Sequence, residues 1–497
     1  MALIEKLGQY RIAKNMSVLA ATQLLSRAAT IIYVAALARY VGSEGIGKIS
    51  TATSLNGILL LIVGPGLSIL FVRDVAPDTK RAASYVTNTL FLRLILFIPF
   101  FLISAIFAHS GRYPEDTANI IHLYTLVFIL ESLSEILICV FRSHERMEYE
   151  GVLQIARDVA NISLSLVAIA LGWSLYAIVA MSIVASLVRL VLALRLVSTR
   201  FTRPELKVNF SLSKSLLLAS LPFGLLMVIQ TLQAELGTFV LSLYYNADVV
   251  GVYAAANTLI VMLLMLPNSF ASAIFPNLSR LHQQSPRDLR LFYRLSFKYL
   301  LILGFPLGLG TILVGQRAVL LIYGDSFNGS PLVIQIMAFF LFMIVGYSNG
   351  PILHATGRQR FYAWTQGTAA VGNFILCFLL VPTLGPIGAA LSFTTSGIFT
   401  FFVHSLSCHR QLHLRLPWRS VIGVGFATAL MGVVVVVGIQ LGVSWILMSA
   451  VVAPVVYGAL LFLLHIVRGD ELRTLAGASP NSNSTNSATP LAIEPTA

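Results

Sequence analysis

The chain has 497 residues, 57% of them hydrophobic and only 11% charged, with a mean hydropathy of +0.84. A water-soluble core of this size does not need so much apolar material, so a soluble protein is excluded and a polytopic membrane protein is expected, its apolar runs of about twenty residues being able to cross a hydrocarbon layer of roughly 30 Å. The net charge of +13 does not point to a nucleic-acid partner, because the basic residues fall almost entirely in one set of loops and so report membrane orientation.

Lys6, Arg11 and Lys14 precede an apolar stretch with Ala36-Leu37-Ala38 beyond it, the outline of a signal peptide. Arg27 interrupts that run, which is too long for the apolar region of a cleaved signal, so it reads as a retained first span. An all-α protein of about fourteen transmembrane helices is expected, at 17–40, 48–72, 84–108, 119–141, 152–171, 175–197, 215–243, 249–275, 297–323, 331–353, 362–381, 386–408, 420–439 and 445–467. Alternate loops carry Arg73, Lys80 and Arg81; Arg142 and Arg146; Arg200, Arg203, Lys207 and Lys214; Arg280 to Arg294; Arg358 and Arg360; Arg410, Arg415 and Arg419; and Arg468 and Arg473. The opposite loops offer little beyond Lys48 and Arg112. The positive-inside rule therefore places both termini in the cytoplasm.

The hairpin at 215–281 has an echo near the N-terminus. At a fixed shift of 204 positions Tyr40, Glu44, Gly47, Ala52 and Leu55 meet Tyr244, Asp248, Gly251, Ala256 and Leu259. Pro99 meets Pro306 at 207, and Gln154, Asn161 and Ala177 meet Gln366, Asn373 and Ala389 at 212. Shifts that grow in order, as loop insertions make them grow, indicate an internal duplication. An even number of spans separates the copies, so they share one orientation and relate by an axis along the membrane normal. The expected organisation is a six-helix bundle at 1–200, a cytoplasmic linker at 201–214, a second six-helix bundle at 215–410, two additional helices at 411–468, and a tail at 469–497 whose Ser, Asn, Thr, Pro and Ala content indicates disorder.

No loop is long enough for a catalytic domain and there is no GxxxxGK[ST] phosphate loop, so ATP hydrolysis is not expected and the chain does not read as an enzyme. Cys139, Cys377 and Cys408 stand alone, with no CxxC pair or histidine at ligand spacing, so no disulfide framework, metal site or cofactor is expected. Gly304, Gly308 and Gly310 around Pro306 read as close helix packing or a kink. The segment His144 to Tyr149, whose repeat partner runs from Thr356 to Phe361, reads as an interfacial turn that sets Tyr149 and Phe361 at headgroup level.

The informative residues are the ionisable ones at membrane depth: Arg27, Arg93, Glu131, Glu135, Arg157 and Glu235. Lipid offers them no partner, so they face a bundle interior or a wet cavity. Glu131 and Glu135 are four apart and share a helix face. One account pairs them with Arg27 or Arg93 as ties within the first bundle. The other makes the arginines a cavity lining for an anionic headgroup, guanidinium being suited to phosphate oxygens, and makes Glu131, Glu135 and Glu235 proton or cation sites. Arg157 lies about two turns from the cytoplasmic helix end, where snorkelling is the simpler role, and is kept with Arg27 and Arg93 as a substrate-binding candidate. Arg39, Arg189 and Arg317 lie nearer helix ends and are expected to anchor.

Leu37-Ala38-Arg39-Tyr40-Val41-Gly42 with Gly45-Ile46-Gly47, Gly66-Leu67 and Val72-Arg73-Asp74-Val75-Ala76 resembles the opening hairpin of polysaccharide repeat-unit flippases of the multidrug/oligosaccharidyl-lipid/polysaccharide exporter superfamily. Leu221-Pro222-Phe223, Val250 to Ala255, Phe275-Pro276-Asn277-Leu278-Ser279, Ile322-Tyr323-Gly324 with Phe327, and Gly385 to Ala390 are similar to the same pattern in the second copy. The resemblance covers most of helices one to twelve. It implies a two-lobed, V-shaped transporter in the bacterial cytoplasmic membrane, moving a polyprenyl-diphosphate-linked oligosaccharide outward for O-antigen, capsule or exopolysaccharide synthesis. It further implies proton or sodium coupling and a polysaccharide polymerase as downstream partner. Family members typically carry Asp in helix seven where this chain has Glu235, the same charge on a longer arm. Cavity arginines of such flippases hold the lipid diphosphate, and Arg27 and Arg93 match them by helix and depth. Two alternatives stand beside this reading: a cation-coupled multidrug exporter of the same fold, and a non-transporting scaffold for polysaccharide synthesis enzymes.

Overall fold

The computed structural model describes residues 2–203, 207–329, 331–413 and 418–467, with side chains from residue 30 onward except those of residues 31, 226 and 411. The expected tail at 469–497 and the Arg27 side chain lie outside the described residues. Among the described residues every regular element is helical. In lipid this follows from the backbone: only a helix or a closed barrel satisfies its own N–H and C=O groups there.

The helices used below are α1 (Ala2–Leu59), α2 (Leu67–Val75), α3 (Ala82–Ala108), α4 (Glu115–Ser143), α5 (Met147–Ala170), α6 (Leu175–Arg200), α7 (Phe210–Tyr244), α8 (Ala247–Leu263), α9 (Met265–Gln284), α10 (Pro286–Tyr323), α11 (Pro331–Phe342), α12 (Asn349–Ala355), α13 (Gln359–Leu384), α14 (Pro386–Leu412) and α15 (Trp418–Gln440). Polar side chains start several of them. Asn209 accepts from the Leu212 N–H at 3.1 Å, Asn246 from Val249 at 3.2 Å and Ser285 from Asp288 at 3.3 Å, each satisfying a donor that a first helical turn leaves open.

Twelve helices among the described residues are long and apolar enough to cross a membrane. A thirteenth is α7, if its arms Phe210–Leu225 and Met227–Tyr244, bent by 59°, form one span. The expected count of about fourteen is close. The helices expected at 17–40 and 48–72 both lie in α1 and part at Gly42, whose φ 70° and ψ −175° are not helical. The second is also not continuous to residue 72. It tightens into a 3-10 turn at Leu60–Val63, breaks at Gly64-Pro65-Gly66 and resumes as α2. Gly64 and Gly66 take φ of 86° and 84°, a left-handed conformation open to glycine, and Pro65 supplies no N–H to a ladder. Hydropathy counts apolar residues without regard to backbone conformation, so the break was invisible to it.

The duplication is visible in backbone detail. Glu145 and Gly357, 212 positions apart, both close a helix with positive φ, 55° and 74°. The Arg146 N–H donates to the Phe141 carbonyl at 2.9 Å, and the Arg358 N–H to the Leu353 carbonyl at 2.8 Å, again at the same shift.

By mutual contact the chain divides into two units. The first comprises Met1–Ile260, Gly315–Met337 and Gln366–Ser396. Its core holds Leu70, Phe71, Ile136, Leu137 and Phe141 in one cluster, and Leu55, Phe97, Phe100, Ile120 and Ile121 in another. The second unit comprises Val261–Val314, Ala338–Thr365 and the chain from Gly397 onward. There Tyr293 donates to Asn349 at 2.6 Å, Asn349 to Ser405 at 2.9 Å, and Tyr457 to the Ile302 carbonyl at 2.9 Å. The packing reading of the glycine cluster holds for two of its three members: a Cβ at Gly304 would lie 2.8 Å from the Leu341 carbonyl and one at Gly308 2.8 Å from the Phe342 ring, while Gly310 meets nothing. Ile98, Ile106, Phe402, Ile422 and Phe462 are exposed, as a lipid-facing surface requires.

Candidate functional site

Three helices of the first unit converge on Glu131, in the middle of α4. Arg157 on α5 donates its Nε to the Glu131 carboxylate at 3.0 Å, and Ser186 on α6 donates at 2.7 Å. Arg189, one turn beyond Ser186, donates Nη1 to the other carboxylate oxygen. Arg157 also pairs with its neighbour Asp158 at 3.1 Å, and Gln154 holds Asp158 from one turn away at 3.0 Å. Two guanidiniums thus face two carboxylates. The side chains are only 10–27% exposed, so removing any one charge leaves another uncompensated where water screens it poorly.

Glu135, the other carboxylate on that face, belongs to a separate set. It accepts from Arg142 at 2.8 Å, and Arg142 donates to both oxygens of Glu150 on α5, at 2.6 and 2.9 Å. Neither glutamate takes Arg93 as its ion-pair partner. Arg93 is buried and donates instead to the carbonyl and hydroxyl of Ser132 and, at 3.2 Å, to the Ser68 hydroxyl on α2, while its Nε has no partner among the described residues. Among the described residues Glu235 makes no hydrogen bond or ion pair, and its side chain lies against Gly57 of α1, where a Cβ would stand 3.5 Å away.

The five candidates whose side chains are described do not form one constellation. Arg157 and Glu131 are brought together, Arg93 lies within electrostatic reach of Glu135 without pairing with it, and Glu235 lies elsewhere. Arg189, expected to anchor, and Arg142, expected in a loop, are ion-pair partners of the two central glutamates. Asp158 was missed. Its place beside Arg157 and one turn after Gln154, the i,i+4 spacing of facing helical side chains, was the available signal.

The duplication supplies an internal comparison. At the shift of 212 that the shared turn fixes, Glu131, Arg157 and Arg189 correspond to Met343, Ala369 and Phe401. Glu135, Arg142 and Glu150 correspond to Tyr347, His354 and Tyr362. Where the first copy ties α4 to α5 by the Arg142–Glu150 pair, the second sets the His354 and Tyr362 rings 4.5 Å apart. The helix pattern is thus compatible with uncharged residues at these positions.

At the end of the first unit away from the basic loops, the copies meet through α1 and α8. A Cβ at Gly47 would fall on the Ala247 carbonyl and 2.9 Å from the Gly251 nitrogen; one at Gly251 would fall on the Ser43 carbonyl and 3.0 Å from the Gly47 nitrogen. Ala247 and Gly251 are Ser43 and Gly47 displaced by 204, so each contact is the image of the other. Ser43 donates to Asp248 across this crossing. Arg39 donates to the carbonyls of Leu321 and Ile322 in the last turn of α10, and Arg112 to that of Leu243 at the end of α7, at 3.4 Å, as favours cations at helix C-termini. A cavity of about 460 Å³ opens beside the crossing, lined by Glu44, Lys48, Tyr113, Asp116, Ser242 and Asp248 among others.

Residues 12–282 match the family described as polysaccharide biosynthesis protein. The chain is 18% identical over 390 residues, 77% of its length and 96% of the relative's, to the capsular polysaccharide biosynthesis protein CapF of Staphylococcus aureus. It is 20% identical over 415 residues, 81% of this chain and 86% of the other, to the probable low-salt glycan biosynthesis flippase Agl15 of Haloferax volcanii. Among solved structures, lipid II flippase MurJ in an inward closed conformation superposes with a TM-score of 0.75 at 13% identity, over 90% of this chain and 99% of that one; at that identity the likeness speaks to fold.

Proposed function

The chain belongs to the polysaccharide biosynthesis protein family, and from that premise we propose that it carries a polyprenyl-diphosphate-linked oligosaccharide across the bacterial cytoplasmic membrane by alternating access. The resemblance read from the sequence is borne out by the family match. The observation that carries the functional reading is the Glu131–Arg157–Arg189 network, a set of partly buried charges whose counterparts in the second copy are Met343, Ala369 and Phe401. Charges that a helix bundle does not need for packing are costly at membrane depth and are kept for what they bind or move.

In this reading Glu131 holds the place of an anion. The cargo diphosphate takes over the guanidiniums of Arg157 and Arg189, whose fork of donors matches phosphate oxygens, while Arg27 and Arg93 supply further positive charge along the same bundle. The released carboxylate of Glu131, together with Glu135 and Glu235, takes a proton or sodium ion and so links the step to a gradient. Separation of the Gly47–Gly251 crossing opens the outer side, and its closure restores the cytoplasm-facing state. Both termini and the basic loops lie in the cytoplasm, and a polysaccharide polymerase on the outer face consumes the delivered unit.

The test is mass spectrometry of polyprenyl-diphosphate-linked sugars in cells with and without the protein, with surface polysaccharide followed in parallel. A complete repeat unit should accumulate on its carrier while surface polymer falls. Unchanged pools of both would refute the reading.

A further inference from the structure

We propose that Arg146 and Arg200 form a binding site for the phosphate of an anionic phospholipid headgroup, built on the ring of Tyr149. Arg146 is the residue before α5 and Arg200 ends α6. Both guanidiniums lie over the same ring, 5.2 and 5.8 Å from its centroid. Both donate to its hydroxyl, Arg200 at 2.9 Å and Arg146 at 3.4 Å. The ring is itself held in place, stacked on Phe141 at 5.5 Å and met edge-on by Phe201 at 5.3 Å.

Two like charges are therefore fixed at one aromatic ring. Arg146 has Glu148 as its carboxylate. Arg200 has none among the described residues, and Glu150 is committed to Arg142. A guanidinium carries five donors, so both arginines keep N–H groups for an incoming anion, and their planar forks suit phosphate oxygens.

The surroundings favour a lipid over a soluble phosphate. The site stands where the spans Met147–Ala170 and Leu175–Arg200 end, the level at which tyrosine and arginine meet headgroups and anionic lipids attract basic side chains. Below Tyr149, Val152, Ile155 and Val159 form an exposed apolar stripe on α5, and Leu187, Val191 and Leu194 form another on α6. Such stripes give acyl chains a surface to lie on beneath a bound phosphate.

The experiment uses the purified full chain in detergent micelles and compares phosphatidylglycerol with phosphatidylcholine of the same acyl chains by native mass spectrometry. The parent should retain phosphatidylglycerol preferentially. The Arg146→Ala/Arg200→Ala variant should lose that preference by about thirty-fold, the sum expected of two basic residues at an anionic surface. Tyr149→Phe, which keeps the ring and removes the hydroxyl that orients both arginines, should lose part of it. Arg200→Gln provides a milder substitution should the double variant not elute as a folded species. Undiminished preference in the folded arginine variants would overturn the proposal. So would thermal protection of the parent by millimolar inorganic phosphate with none from phosphatidylglycerol, which would assign the site to a soluble anion.

Discussion

Replacing Gly47 or Gly251 by alanine tests the crossing at which the two copies meet. The added methyl at either position meets only backbone: the Ala247 carbonyl and the Gly251 nitrogen in one case, the Ser43 carbonyl and the Gly47 nitrogen in the other. Backbone within a helix has no rotamer to change, so α1 and α8 must part by about an ångström. Overpacking of this kind costs about 1–3 kcal/mol, and stretching the Ser43–Asp248 bond, which involves a charged acceptor, adds about 1.5 kcal/mol. Each single variant should therefore lose about 3 kcal/mol. Because one separation makes room for both methyl groups, the double variant should cost little more than either single one, a coupling of about 2–3 kcal/mol. Denaturant unfolding in micelles, followed by tryptophan fluorescence, reads all three values. Single variants within about 0.5 kcal/mol of the parent would refute the close approach, and full additivity would refute the shared crossing.

Glu131→Gln should destabilise by about 2–3 kcal/mol, because it leaves Arg157 and Arg189 short of a counter-charge in a partly buried site. The quadruple variant Glu131→Met, Arg157→Ala, Asp158→Ala, Arg189→Phe, which installs the residues of the second copy and leaves no member of the network unpaired, should cost less than that single change; a larger loss in the same unfolding assay would mean the network is needed for the fold. Glu145→Gly should raise stability by roughly 0.5–1 kcal/mol, since its φ of 55° is strained for a side-chain-bearing residue, and an unchanged midpoint would remove that account. Glu235→Gln should leave unfolding within about 0.5 kcal/mol of the parent while lowering gradient-driven transport at least about tenfold; transport at the parental rate would end its coupling role.

Fold class and duplication were legible because both rest on order along the chain. Twenty-residue apolar runs specify helices in lipid, and the pairs Gly47 with Gly251 and Gln154 with Gln366 kept their spacing through shifts that only loops could cause. The break at Gly64-Pro65-Gly66 was written in the sequence but overruled by the apolar run around it. Ion-pair partners were not legible, because pairing depends on how each helix is rotated against its neighbours. Four-residue spacing set Glu131 and Glu135 on one face, yet Glu131 turns toward α5 and α6 whereas Glu135 reaches along its own helix to Arg142. Position near a helix end likewise suggested that Arg189 merely anchors, when its long side chain reaches the central carboxylate.

Translocation itself is tested most directly by reconstitution. The parent protein and the quadruple variant would be placed in liposomes whose polyprenyl-diphosphate-linked oligosaccharide starts in one leaflet, under an imposed ion gradient, and arrival in the other leaflet followed by its accessibility to an added glycosidase. The parent should expose the oligosaccharide well above the rate of empty liposomes, and the folded quadruple variant should not. No exposure by the parent under a proton or a sodium gradient, or full exposure by the variant, would contradict the account.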